Sequence, residues 1–127
     1  DRSWRNPNLL RWHGEPWLID HGAALYFHHD WSARASAATK PYPTAADHIL
    51  LPVAAPLAGA HEALAPLVTG DLLDTVLARV PDEWLVPEAG FDSPDAMRSA
   101  YADVLIARAG SPAPWLDAVE VTRAAAV

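Results

Sequence analysis

The stretch from Asp1 to Gly22, DRSWRNPNLLRWHGEPWLIDHG, decides the fold of the chain. Its centre predicts a tight β-hairpin, with strands at residues 9–13 and 16–19 and a turn at Gly14-Glu15. Gly14 suits the first central position of a type II′ turn, where φ is positive and a Cβ would clash. Because a hairpin brings its two outer ends side by side, the residues that flank it should meet.

Three side chains with oxygen donors flank this hairpin: Asp1 and Asn6 precede it, and Asp20 follows it. Two carboxylates and an amide oxygen in one small volume suit a hard divalent cation. A simpler interpretation is that Asn6 and Asn8 only close a turn through local hydrogen bonds. Spacing alone favours that interpretation, but the Asp20-His21-Gly22 loop beside these residues favours the metal site.

The order of these residues resembles the phosphoryl-transfer loops of kinase-like enzymes. In such enzymes a loop Asp orients the acceptor hydroxyl, and an Asn five residues later and a second Asp hold metal. Asp1 and Asn6 have that five-residue step, and Asp20-His21-Gly22 lies where a D-x-G metal loop belongs. The chain departs from the common protein-kinase pattern, because no His-Arg pair precedes Asp1 in it and His21 replaces the usual aromatic residue.

The run DRSWRNPNLLRWHGEPWLIDHGAALYFHHDW, residues 1–31, resembles the HipA-like kinases of bacteria. Their wider relatives include phosphatidylinositol kinases, with D-R-x-x-x-N and I-D-x-G loops, and a weaker similarity extends over residues 47–52 and 81–85. The resemblance implies the C-terminal lobe of a protein-kinase-like fold, with Asp1 as the catalytic carboxylate and Asn6 and Asp20 as ligands of Mg²⁺.

The same resemblance implies ATP as the phosphoryl donor and a hydroxyl of a protein or a small molecule as the acceptor. The glycine-rich nucleotide loop and the ATP-contacting lysine of the family have no counterpart in the chain. We therefore expect them before residue 1, and we expect the chain without them to bind ATP weakly or not at all.

Composition limits the class of protein. The 127 residues, 51% of them hydrophobic, can form one domain, or part of one, with a buried core. The net charge is −7, and the acidic part after residue 40 argues against direct nucleic-acid binding. The chain has no cysteine and no apolar run of about 18 residues, so we expect neither a disulfide framework nor a membrane partner, and we expect a cytoplasmic protein.

We expect an α+β fold that is mainly α, with one catalytic β-hairpin followed by a helical bundle. Residues 1–127 would form a partial domain in three parts: catalytic and metal-binding loops on the hairpin (1–22), a short helix and loop (23–44), and a helical subdomain (45–127). The small, polar residues from Ser32 to Thr44 are typical of a mobile loop.

The helical part has clear start and stop signals. We expect one helix from Pro56, another from Gly70-Asp71 to Pro81, and a last one from about Pro114. The best-marked helix begins after the N-cap candidate Ser93 and ends at Gly110, with an apolar stripe that includes Met97, Tyr101 and Val104. We also expect Trp84 to point into the core and Trp12 to pair with Trp17 across the hairpin.

Two alternatives to an active kinase stay open. The first is a catalytically dead kinase-like lobe that binds a partner through its acidic helices. The second is a metal-dependent hydrolase that uses His21, His28, His29 and Asp30. Because adjacent residues on a helix point about 100° apart, His28 and His29 cannot easily share one ion, and packing roles are the simpler interpretation of both.

Overall fold

The structure, a computed structural model, describes residues 2–41, 44–86 and 90–125. It is mainly helical with a small antiparallel sheet, which confirms the predicted class at that level. The sheet consists of β1 (Leu9–Trp12) and β2 (Glu15–Leu18). Within the described ranges five α-helices follow, α1 (Arg34–Ala37), α2 (Leu57–Leu64), α3 (Gly70–Leu77), α4 (Pro94–Gly110) and α5 (Ala113–Ala125), together with short 3₁₀ turns at Tyr26–His29, Trp31–Ala33, Ala45–Asp47, Leu51–Val53, Ala65–Leu67 and Asp82–Trp84. Among these residues no helix combines the length and the apolar character that crossing a bilayer requires.

The hairpin turn lies one residue earlier than predicted. Trp12 pairs with Glu15, so the two-residue loop is His13-Gly14. Both loop residues have positive φ, 51° at His13 and 89° at Gly14, as a type I′ turn requires. The expected type II′ turn is therefore wrong: Gly14 occupies the second central position, and His13 adopts the left-handed backbone at the first.

Apolar side chains are exposed on both faces of the hairpin. Leu10, Trp12 and Trp17 lie on one face, and Leu18 lies on the other. Because Leu10 is directly opposite Trp17, the two tryptophans are diagonal neighbours and not the direct pair that we expected. An isolated two-stranded hairpin is marginally stable in water. Burial of these exposed apolar side chains against another surface would therefore stabilise it.

The core lies between α4 and the turns that follow the hairpin, and it consists of Phe27, Trp31, Leu85, Phe91, Met97, Tyr101 and Val104. The ring of Trp31 packs edge-to-face on Phe91 and on Tyr101, with both centroid distances at 4.7 Å. The prediction that Trp84 points inward is wrong, since its side chain is 76% exposed. Leu85, which follows the 3₁₀ turn, is only 4% exposed and takes the place in the core.

Helix α4 begins, ends and packs as its sequence predicts. The Oγ of Ser93 accepts a hydrogen bond from the Ala96 N–H at 3.1 Å, which caps the helix, and Pro94 takes the first helical position. The helix ends at Gly110. Its buried stripe holds the predicted residues Met97, Tyr101 and Val104.

Arg98 joins α4 to the end of α3, which stops at Leu77 and not at the predicted Pro81. Its Nε donates to the Leu77 carbonyl at 3.2 Å, and its Nη2 donates to the Val80 carbonyl at 2.7 Å. The Leu77 carbonyl, the last of α3, also accepts a hydrogen bond from the Val80 N–H at 3.0 Å, so Arg98 adds a second donor there and ties the turn after α3 to α4. Ion pairs with Asp82 and Asp95 raise the pKa of Arg98.

Helix α5 holds the beginning of α2 through Glu120. The Oε2 of Glu120 accepts a hydrogen bond from the Leu57 N–H at 2.9 Å, one of the unsatisfied donors of the first helical turn. Arg123 pairs with Glu120 at 2.7 Å and donates to the Ala54 carbonyl at 3.2 Å. The pairing with Arg123, followed by the bond from Leu57, lowers the pKa of Glu120.

The segment predicted as a mobile loop, residues 32–44, contains regular structure. The turn at Trp31–Ala33 runs into α1, and the Ser36 carbonyl accepts a hydrogen bond from the Lys40 N–H at 2.9 Å. Residues 42 and 43 lie outside the described part of the chain. Small residues such as alanine and serine allow this short helix to pack closely on α4, a contact that local sequence signals do not reveal.

Candidate functional site

The open end of the hairpin joins Asn8 to the loop that begins at Asp20. The Asn8 carbonyl accepts a hydrogen bond from the Ile19 N–H at 3.0 Å, and the Asn8 Nδ2 donates to the Asp20 carbonyl at 3.4 Å. Asn8 is buried and has a φ of 46°, in the left-handed region that asparagine tolerates better than most residues. Sequence reasoning gave Asn8 only a turn role, and the tolerance of asparagine for left-handed backbone was the available signal.

Asp20 carries its carboxylate on the exposed surface at this end of the hairpin. Its φ of 51° is left-handed, an uncommon conformation for a residue other than glycine. A Cβ at Gly22 would lie 3.8 Å from the Asp20 Oδ1, so the carboxylate turns back over its own loop. Left-handed residues of this kind concentrate at functional sites, which makes Asp20 a candidate for one.

Asn6 lies two residues before Asn8 and is also exposed. Its N–H donates a hydrogen bond to the Ser3 Oγ at 3.1 Å. This bond closes a local turn, as the interpretation without a metal expects. That bond uses the backbone of Asn6 and not its side-chain amide. The structure thus places the predicted ligands Asn6 and Asp20 at the same exposed end of the hairpin, while the predicted catalytic residue Asp1 lies outside the described residues.

Arg2 connects the segment before the hairpin to the loop after it. Its Nη2 donates to the Nδ1 of His21 at 3.2 Å. Because a guanidinium can only donate, the Nδ1 of His21 is the acceptor in this contact. The Nε of Arg2 is buried and has no hydrogen-bond partner among the described residues. Sequence reasoning missed Arg2 as a site residue, and its position next to Asp1 was the available signal.

The segment at residues 48–50 anchors the beginning of the chain. The Arg2 carbonyl accepts a hydrogen bond from the Ile49 N–H at 2.9 Å, and Ser3 forms an antiparallel bridge with His48. The Nδ1 of His48 accepts from the Leu50 N–H at 3.2 Å. Partial burial lowers the pKa of His48, and the positive charge of Arg2 contributes to the same effect.

The chain matches no protein-family model, no curated protein and no solved structure. The resemblance of residues 1–31 to HipA-like kinases thus stays a prediction from the residues themselves.

The histidines that suggested a hydrolase have other contacts. The Nδ1 of His28 lies 2.5 Å from the Tyr101 hydroxyl and so joins the turn at Tyr26–His29 to α4. The carboxylate of Asp30 accepts from both the N–H and the hydroxyl of Ser32. Across residues 2–41, 44–86 and 90–125 there is no group of three or more His, Asp or Glu side chains that could hold a metal ion. The hydrolase site is therefore not assembled among these residues.

Proposed function

We propose that the open end of the hairpin is the magnesium-binding side of an ATP-dependent phosphotransfer site, as in the HipA-like kinases that residues 1–31 resemble. The observation that carries the proposal is the exposed Asp20 carboxylate, set on a left-handed backbone at the same end of the hairpin as Asn6. Oxygen donors from an amide and a carboxylate fit the preference of Mg²⁺. The ion would neutralise the charge that develops on the transferred phosphoryl group.

In the proposed reaction the oxygen of an acceptor hydroxyl attacks the γ-phosphorus of ATP. The bond between that phosphorus and the oxygen bridging to ADP breaks, and the hydroxyl proton passes to a carboxylate, for which Asp1 is our candidate. Asn6 and Asp20 would hold the metal, so removing either one should abolish turnover. The acceptor is a hydroxyl, which we assign to a protein in keeping with the resemblance.

Arg2 supports the proposal through its charge. Its guanidinium lies against His21, the residue that follows Asp20. Cationic donors near a phosphoryl group stabilise the charge that the reaction develops. A polyanionic ligand at this end of the hairpin would therefore find a complementary side chain already in place.

The exposed hairpin supports it as well. Leu10, Trp12 and Trp17 are each about half exposed on one face of a two-stranded sheet that is marginal by itself. Ligand sites occur preferentially where two domains meet. A second lobe and a nucleotide that lie over this hairpin would cover these side chains and complete the site.

The test is phosphotransfer by the full-length gene product, measured as ³²P released or transferred from labelled ATP with Mg²⁺. We expect Asp20→Asn to lower the rate by at least about 100-fold, the effect of losing one strong stabiliser of the transition state. The matched control is Glu15→Gln, which removes the same charge at the opposite end of the hairpin and should leave the rate within about twofold.

Two results would contradict the proposal: an Asp20→Asn protein that keeps normal phosphotransfer, or an equal loss in the Glu15→Gln control. A wild-type protein that never consumes ATP would favour the alternative of a non-catalytic lobe that binds a partner through its acidic helices. Circular dichroism of each variant confirms that the fold is retained.

A further inference from the structure

A cavity of about 510 Å³ lies between α4 and the segment that follows the hairpin. Its apolar lining includes Leu25, Phe27, Val104 and Leu105. Its size falls within the range of about 300–1,000 Å³ that is typical of small-molecule sites. The cavity does not include Asn6 or Asp20, so its use is independent of the proposed phosphotransfer.

Two residues with cationic side chains, Arg108 and Lys40, are among those that line the same cavity. The Nη1 of Arg108 donates to the Ala37 and Lys40 carbonyls, both at 2.9 Å, and its guanidinium lies 4.9 Å from the centre of the Trp115 ring. These contacts hold the guanidinium in place, but none of them is with a negatively charged group. The ion pairs among the described residues belong to Arg98 and Arg123, so neither Arg108 nor Lys40 has a carboxylate partner there.

The polar groups around the cavity therefore have a positive excess. Asp30 also lines it, but one oxygen of its carboxylate already accepts two hydrogen bonds from Ser32. Arg108 is partly buried, and burial lowers its pKa, although arginine keeps its charge in proteins. Its carbonyl acceptors and the Trp115 ring carry no full negative charge, so a bound anion would add the charge-assisted hydrogen bonds that Arg108 lacks.

We propose that this cavity binds a small amphipathic anion, with its apolar body against Phe27 and Leu105 and its carboxylate at Lys40 and Arg108. The apolar lining selects a hydrocarbon or aromatic body, because burying polar groups there without partners costs free energy. The two cations select the negative end, since hydrogen bonds to charged groups are the stronger ones.

The test is an NMR titration of the ¹⁵N-labelled chain with octanoate, and with octanol and acetate as partial ligands. We expect octanoate to bind with a dissociation constant of about 1 mM or lower and to shift amides in residues 24–40 and 104–108. Octanol lacks the charge and acetate lacks the chain, so each should bind at least about tenfold more weakly.

Two variants and a control complete the experiment. Leu105→Trp fills the cavity and should abolish binding of octanoate. Lys40→Gln removes an exposed charge without touching the core and should weaken binding about two- to fivefold, the range of a surface ion pair. Arg79→Gln makes the same charge change at an exposed residue beyond the end of α3 and should have no effect.

Several outcomes would overturn the proposal. Octanol that binds as tightly as octanoate would show that the cations play no part. Shifts confined to residues 9–19 would mean that the ligand only coats the exposed hairpin. Unchanged binding in Lys40→Gln, or the absence of any shift with octanoate, would each count against the site.

Discussion

The replacement Leu85→Ala tests the packing that most clearly departs from the sequence. Leu85 is 4% exposed in the core, whereas its neighbour Trp84 is 76% exposed. Replacing a buried leucine with alanine costs about 2–5 kcal/mol, because transfer free energy is lost and a cavity remains. Leu85 keeps a trace of exposure, which places our expected loss near the middle of that range, at about 3 kcal/mol.

The assay is urea unfolding followed by circular dichroism at pH 7, with thermal unfolding as a second measurement. A loss of about 3 kcal/mol is a large share of the roughly 5–15 kcal/mol that stabilises a typical domain. It should lower the melting temperature by about 10 °C for a chain of this length. Two controls should each cost about 1 kcal/mol or less: Trp84→Ala, next to the buried position, and Leu72→Ala, the same change at a half-exposed leucine of α3.

The reasoning would be refuted by the opposite order of effects. If Trp84→Ala lowered the free energy of unfolding more than Leu85→Ala, the tryptophan would be the core residue, as its apolar surface alone suggests. A loss below about 1 kcal/mol in all three variants would show that this part of the core contributes little to stability.

Two further predictions concern local hydrogen bonds. The neutral Nδ1 of His48 accepts the Leu50 N–H and its pKa is lowered by burial, so the folded protein binds fewer protons here than the unfolded chain. The contribution of His48 to stability should be complete above the unfolded pKa of 6.5 and should be lost as the pH falls below it. Urea unfolding midpoints measured between pH 8 and 5 test this. If the midpoint of His48→Gln fell with pH as steeply as that of the wild type, the prediction would be contradicted. Removal of the α4 cap by Ser93→Ala should cost about 1 kcal/mol in the same unfolding assay, whereas Ser99→Ala within that helix should cost less, and equal costs would contradict the capping role.

The sequence predicted elements best where local chemistry sets their limits. The Oγ of Ser93 caps a backbone N–H only three residues away, so the start of α4 can be predicted without tertiary structure. Gly110, a poor helix former, marks the end of α4 in the sequence. The hairpin was predictable from its turn residues, but its exact turn was not. Two turn positions one residue apart were compatible with the sequence. The structure has the one that requires a left-handed backbone at His13, which the sequence prediction did not anticipate.

Long-range contacts account for what the sequence could not show. Arg98 satisfies carbonyls near residues 77–80, and Glu120 caps α2 from a helix more than sixty residues later. Nothing near either residue in the sequence indicates these partners. Hydrophobicity by itself favours burial of Trp84, the larger of the two side chains. The 3₁₀ turn Asp82–Trp84 instead leaves Trp84 exposed and places Leu85 in the core.

The candidate site shows the same division between local and distant signals. Asn6 and Asp20 were predicted as ligands from their spacing, and both flank the open end of the hairpin. Asn8 and Arg2 were missed because they act through contacts across the hairpin, with the Asp20 carbonyl and with the ring of His21. A spacing pattern identifies groups that would meet a ligand, but it does not identify the groups that position them.

The hairpin is attached to the rest of the chain mainly through polar contacts near its open end. Few of its side chains are buried, so the core around Trp31 does not fix its orientation directly. The backbone bridge from Ser3 to His48 and the bond from Arg2 to His21 hold its two ends. Polar links of this kind are individually modest, at about 1 kcal/mol each. A partner that covers the exposed hairpin would therefore add apolar contacts that the described part of this chain does not supply.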